Sequence, residues 1–237
     1  MFFSPSASVV LRTVLMAVLS LLLSIGVAVG QSNNASITQK SDNNDAFITQ
    51  KGDNNDARIT QTTAGNTGTI EQVGDDNDAT LLFEEQRGNT GMIMQHGDDH
   101  DIGLVVEGTD NIADIRQFGT NKHTVGFAGT ADNPGGMFQS GDRNEIYVVQ
   151  RGDADGHMLR TAGEADYIQY GHNNRIDLTQ HGSDQLAELR QRGDGNTMTI
   201  TQDGPIRNTA TVHQLSDQNQ ATITQHGSGN TATVTQE

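Results

Sequence analysis

Asn43–Gln61, NNDAFITQKGDNNDARITQ, says nearly the same thing twice: Asp45-Ala46 and Ile48-Thr49-Gln50 return eleven residues later as Asp56-Ala57 and Ile59-Thr60-Gln61. An eleven-residue period fits a right-handed helical supercoil, and it fits one strand plus one turn of a stacked β structure equally well. The content of the unit decides between them. Asn, Thr, Gly and Asp are poor helix formers, glycine recurs at the eleven-residue step, and β-branched residues cluster. Within the unit Asn55, Ala57, Ile59 and Gln61 alternate with Asp56, Arg58 and Thr60, the period of two that a strand requires. The turns Lys51-Gly52-Asp53-Asn54, His181-Gly182-Ser183-Asp184 and Arg192-Gly193-Asp194-Gly195 hold residues that tolerate left-handed backbone angles.

Outward from this stretch, glutamine keeps the beat at Gln39, Gln50, Gln61 and Gln72, then at Gln139 and Gln150, then at Gln169, Gln180, Gln191 and Gln202. After a one-residue insertion at Pro205 it resumes at Gln214, Gln225 and Gln236. Glycine two residues later bridges the gaps, at Gly97, Gly108 and Gly119, then Gly141, Gly152 and Gly163. The sequence predicts an all-β, two-sheet β-solenoid of about nineteen 11-residue strand-turn units, preceded by a signal peptide. Each unit is a strand of about seven residues and a turn of about four, two units make a rung, and rungs ~4.8 Å apart give a body roughly 45 Å long. The middle is degenerate: three extra residues are expected between Asn77 and Gln86, three are missing between Gly163 and Gly171, and Val106, Ala128 and Thr161 stand at glutamine positions.

Residues 1–30 differ in kind. Arg12, an apolar run from Val14 to Val29 and the small-residue ending Ala28-Val29-Gly30 read as a secretory signal peptide cleaved before Gln31, leaving 31–237 as the repeat domain. A retained transmembrane anchor is the competing reading of so long an apolar run. The small-residue exit and the lack of a positive flank after it favour cleavage, so no membrane insertion is expected thereafter. Cleavage removes one base and no acid, leaving 13 bases against 30 acids, a formal charge of −17. So acidic a chain does not bind nucleic acid or an anionic membrane by electrostatics. Without cysteine it has no disulfides, and with a third of its residues apolar and 4% aromatic a conventional core is thin.

If Ala57 and Ile59 face inward, so do Asn55 and Gln61, and a buried amide left unpaired costs about 1–3 kcal/mol. Bonding each amide to its copy on the next rung removes that cost. Burying one Ile and one Ala stabilises by about 2–4 kcal/mol, whereas ordering eleven residues costs well above ~10 kcal/mol, so no rung stands alone. The first strand starts at Asn33 and the last ends at Gln236, which leaves no room for capping repeats, and bare edges would template another copy of the chain.

Gln50-x4-Asn55-x5-Gln61, Gln180-x4-Gln185-x5-Gln191 and Gln225-x4-Asn230-x5-Gln236 resemble the curlin repeat over nearly all of residues 31–237. The resemblance implies a secreted subunit, exported to the periplasm by the Sec route, that self-assembles into extracellular curli-like amyloid fibres on the cell surface for adhesion and biofilm matrix. It places the self-assembly ladder on Gln39, Asn44, Gln50, Asn55 and Gln61 at one end and on Asn219, Gln225, Asn230 and Gln236 at the other. It further implies the chain itself as partner, with a second curlin-like nucleator and an outer-membrane secretion pore. The leading segment that would target such a pore is missing between Gly30 and the first repeat. The array is also longer than the familiar subunit.

Other chemistry is weakly signalled. His96, His181 and His226 each follow a glutamine, a permissive turn position that Lys51, Phe118 and Tyr170 also occupy, so no metal site is expected. Aspartate-rich turns such as Gly74–Asp78 suggest a calcium-dependent roll, although those rolls have a nine-residue unit. The triplets Thr197, Thr199, Thr201 and Thr231, Thr233, Thr235 suggest an ice-binding face. Both describe a non-polymerising secreted binding module. No nucleophile elbow, phosphate loop or metal motif occurs, so neither catalysis nor a cofactor is expected.

Overall fold

The computed structural model describes residues 26–29, 32–120, 122–126, 137–152, 157–161 and 168–237. It is all-β, two parallel sheets facing each other as a solenoid of about eight turns. The first sheet runs, in spatial order, β1 (Gly26–Val29), β3 (Asp45–Lys51), β5 (Thr67–Val73), β7 (Thr90–Gly97), β9 (Ile112–Gly119), β12 (Glu145–Arg151), β15 (Arg175–Gly182), β17 (Thr197–Gly204) and β19 (Gln220–His226). The second runs β2 (Asn34–Gln39), β4 (Asp56–Gln61), β6 (Asp78–Glu84) and β8 (Asp101–Glu107). It continues through a row shared by β10 (Thr124–Val125) and β11 (Met137–Ser140), then one shared by β13 (Met158–Thr161) and β14 (Gln169–Tyr170). It ends with β16 (Leu186–Arg192), β18 (Thr209–Gln214) and β20 (Thr231–Gln236). Among these residues no helix is long and apolar enough to cross a membrane.

Neighbouring rows pair parallel and in register, so like stands on like: Ala57 on Ala79, Ile48 on Ile70, Gln180 on Gln202. Inward positions of the interior rows are fully buried and outward ones are not, as in β3, where Ala46, Ile48 and Gln50 alternate with exposed neighbours. The turns follow from stacking. Gly52 has φ 118°, and a Cβ there would lie 2.0 Å from the Gly74 carbonyl oxygen of the next row, so only glycine lets the turns nest. Asn54 completes that turn at φ 56°, a conformation asparagine tolerates.

Two expectations for the degenerate middle are corrected. Gln86 does not take a glutamine position; Phe83 does, stacked between Gln61 and Val106. The irregularity is therefore one added residue in the following turn, Gln95 coming twelve after Phe83 where eleven is the rule, and not three between Asn77 and Gln86. Thr161 pairs with Leu189, and the glutamine position of that row belongs to Gln169, opposite Gln191. Ala128 lies outside the described residues. Its row reaches the glutamine position only at Gln139, which stands on Val106. Each of these two rows is interrupted. Ile102 and Leu104 are two residues apart but their partners Val125 and Met137 are twelve apart; likewise Leu189 and Gln191 face Thr161 and Gln169, eight apart. Among the described residues the strand rows therefore number fewer than nineteen.

Of residues 1–30, only 26–29 are described. They form β1, which lies along β3 with Gly26 opposite Ile48 and Val29 opposite Lys51. The remainder of the expected signal peptide lies outside the described residues.

Candidate functional site

Inward glutamines of the first sheet form an unbroken ladder, each Nε2 donating to the Oε1 of the next row: Gln50 to Gln72, then Gln95, Gln117, Gln150, Gln180, Gln202 and Gln225, over 2.8–3.2 Å. The second sheet repeats this from Gln39 to Gln61, and from Gln139 through Gln169, Gln191 and Gln214 to Gln236. Phe83 and Val106 separate the two runs. Every glutamine-to-glutamine link donates toward the higher-numbered row, so each ladder is polar. At its start the buried Gln50 Oε1 finds no donor among the described residues, and the same holds for Gln139 Oε1, which stands on the apolar Val106. At the far end Gln225 and Gln236 use Nε2 on the carbonyls of Thr209 and Gln220, with no glutamine beyond.

Asparagines work differently from the expected side-chain ladder. In the first sheet, the Oδ1 of Asn44, Asn66, Asn89, Asn111, Asn144, Asn174 and Asn196 accepts the backbone N–H of the next member of the row at 2.8–3.0 Å, and Asn219 ends the row. The second sheet starts alike, Asn33 Oδ1 accepting from Asn55 N and Asn55 Oδ1 from Asn77 N, with Asn55 Nδ2 turned to the Gly74 carbonyl. Here Asn77 Nδ2 also donates to Asn55 Oδ1 at 2.9 Å, the side-chain link foreseen. The row then changes chemistry. His100, His123 and His157 replace asparagine, each Nδ1 accepting the next backbone N–H, before Gln185 and Asn208 close toward Asn230. Sequence reasoning missed these three histidines. Gly97-Asp98-Asp99-His100 does carry the spacing of Gly52-Asp53-Asn54-Asn55, whereas His123 and His157 sit one and two residues later than that rule.

The nine expected ladder residues thus fall into the four inward rows, and the structure leaves those at the two ends less covered than the interior. Gln39, Asn44, Asn219 and Gln236 are half-buried and Asn230 is exposed, while Gln50, Asn55, Gln61 and Gln225 are buried.

The remaining candidates separate. His96, His181 and His226 share one outward column of the first sheet, and Asp203 sits between the last two, 3.0 Å from His181 Nδ1 and 3.7 Å from His226 Nδ1. Among the described residues no three His, Asp or Glu side chains gather closely enough to hold a metal ion. Turn carboxylates are occupied by backbone: Asp53 N–H donates to Asp75 Oδ1 and Asp75 N–H to Asp98 Oδ1. The threonine triplets do not build one face. Thr197, Thr199 and Thr201 lie on β17 of the first sheet, and Thr231, Thr233 and Thr235 on β20 of the second.

The curlin associated repeat model matches residues 52–81, 171–204 and 207–237, the regular blocks on either side of the interrupted rows. These three blocks are similar to the curlin repeat. The irregular centre, between 82 and 170, holds both apolar replacements of glutamine and the three ladder histidines. No curated protein matches the chain, and neither does any solved structure.

Proposed function

We propose that this chain is a secreted structural subunit that self-assembles end to end into extracellular curli-like amyloid fibres on the cell surface, serving adhesion and biofilm matrix. The observation that carries the reading is the polarity of the glutamine ladders. A buried Gln50 Oε1 without a donor is complementary to the amide hydrogens of Gln225 and Gln236, which have no glutamine to bond. A second copy stacked head to tail supplies the missing partner at both ends and extends both sheets.

Export by the Sec route accords with the leader composition, and cleavage before Gln31 removes β1 and bares the edge of β3. A second curlin-like nucleator and an outer-membrane pore complete the proposed system. The role is structural rather than catalytic. The test is direct: purified residues 31–237 should convert, after a lag, to thioflavin-positive fibres with the ~4.8 Å cross-β spacing, and added fibre fragments should shorten the lag. A protein that stays monomeric for days at tens of micromolar, seeded or not, overturns the proposal.

A further inference from the structure

His100, His123 and His157 stack ring on ring in the core of the second sheet, with centroids 4.8 Å apart at both steps and interplanar angles of 9° and 19°. All three are buried. Their hydrogen bonds fix the proton. Nδ1 of His100, His123 and His157 accepts a backbone N–H from His123, His157 and Gln185 at 3.4, 3.0 and 3.2 Å. On the other nitrogen, His123 Nε2 meets the Phe118 carbonyl and His157 Nε2 the Arg151 carbonyl, each at 2.9 Å. Nε2 therefore carries the hydrogen and each ring is neutral. His100 Nε2 faces the His96 and Gly119 carbonyls without a well-formed hydrogen bond.

In this row histidine does what asparagine does elsewhere, with one difference. Asparagine Oδ1 takes no proton at ordinary pH, whereas imidazole Nδ1 does. A proton added there points at the backbone N–H that Nδ1 was accepting, and it places a cation in a dry column beside another ring. We propose that this histidine ladder is an acid-labile seam across the middle of the solenoid: protonation within the stack breaks the row-to-row hydrogen bonds and loosens the centre, while the amide-laddered blocks on either side stay intact.

Among the described residues, the charged groups around the stack oppose or pair with one another. Asp98 lies near His100, where the His123 ring opposes it, and Asp184 lies near His157, where His123 and His181 oppose it. Lys122, next to His123, is paired with Asp101, the neighbour of His100, and the Arg151 guanidinium sits over the Phe118 ring. Burial, followed for His100 by the neighbouring His123 ring, lowers His100 to about 4, and burial lowers His157 to about 4. Folded pKa values below the unfolded value mean that the stabilisation is complete above ~6.5 and is lost as pH falls toward 4.

The test compares the protein with its H100N/H123N/H157N variant, which restores the amide row, and with H96N/H181N/H226N, which removes only outward histidines. Urea unfolding at pH 7.5 and pH 4.5 should show the parent losing folding constant on the order of tens-fold more, per buried ladder histidine, than the ladder variant. The outward variant should track the parent. Should the ladder variant not fold, imidazole ¹⁵N shifts of the parent decide: at pH 5 His100 and His157 stay neutral with hydrogen on Nε2. Equal pH profiles for parent and ladder variant, or His100 and His157 already protonated at pH 5, overturn the proposal.

Discussion

Gln72 donates its side-chain N–H to Gln95 Oε1 across 2.9 Å, and Gln95 passes the pattern on to Gln117 at 3.2 Å, both deep in the first sheet. A link in such a ladder serves two neighbours at once. Replacing Gln95 with Ala orphans the Gln72 hydrogen and the Gln117 oxygen, each costing about 1–3 kcal/mol. The expected loss is therefore about 2–5 kcal/mol in urea unfolding. Removing Gln86, an exposed glutamine outside the ladder, should cost under about 1 kcal/mol.

Phe83 shows how the facing sheet makes room for an interruption of the ladder. It takes a glutamine position, and the opposing rows carry Gly68 and Gly91 where Ala46 and Ala113 stand elsewhere. A Cβ on Gly91 would come within 2.9 Å of Phe83 Cζ and 2.8 Å of Leu81 Cδ1. Gly91→Ala should destabilise by about 1–3 kcal/mol through overpacking, and Phe83→Leu should recover part of that in the double variant. Additive losses would show that the glycine and the ring are not coupled.

Asp78 titrates in the sense opposite to the histidines. It stands between Asp56 and Asp101 on the second sheet, and partial burial together with these two carboxylates pushes it up to about 6, with Lys122 opposing. A folded pKa above the unfolded value means the folded state holds the proton more tightly. The strain is therefore full above pH 6 and relieved as pH falls through 6 toward 4. Asp78→Asn should stabilise the protein by about 1 kcal/mol at pH 7.5, allowing for screening at an exposed site, and by little at pH 4.5. The comparison is of urea midpoints at the two pH values.

Most of the fold is legible in one unit, because period-two alternation names the inward face and an eleven-residue echo demands stacking. Ala57, Ile59 and Gln61 are where that logic puts them. The centre was not legible because glutamine served as the marker. Ala79, Leu81 and Phe83 keep the inward spacing without it, so Gln86 took a place it does not hold. Val125 and Met137 are twelve residues apart yet pair with Ile102 and Leu104 of one strand, so Gln117 to Gln139 has the length of two repeats while its described residues add one strand row. For the Asn row, composition revealed the acceptor but not its partner: Oδ1 takes a backbone N–H, and this is why an imidazole Nδ1 can stand in for it.

Ladder position should separate folding from assembly. Gln180 is an interior link, bonded to Gln150 on one side and Gln202 on the other, whereas Gln225 receives from Gln202 and donates only to the Thr209 carbonyl. Gln180→Ala breaks two links inside the chain and should lower stability by about 2–4 kcal/mol. Gln225→Ala breaks one internal link, and in a head-to-tail fibre it also deletes the donor that the next copy meets. Its urea midpoint should therefore fall less than that of Gln180→Ala, while its seeded elongation rate, read by thioflavin fluorescence with parent fibres as seed, should fall more. If elongation instead follows stability across the two variants, growth does not proceed through the glutamine at this end, and the interchain contact lies elsewhere on the solenoid.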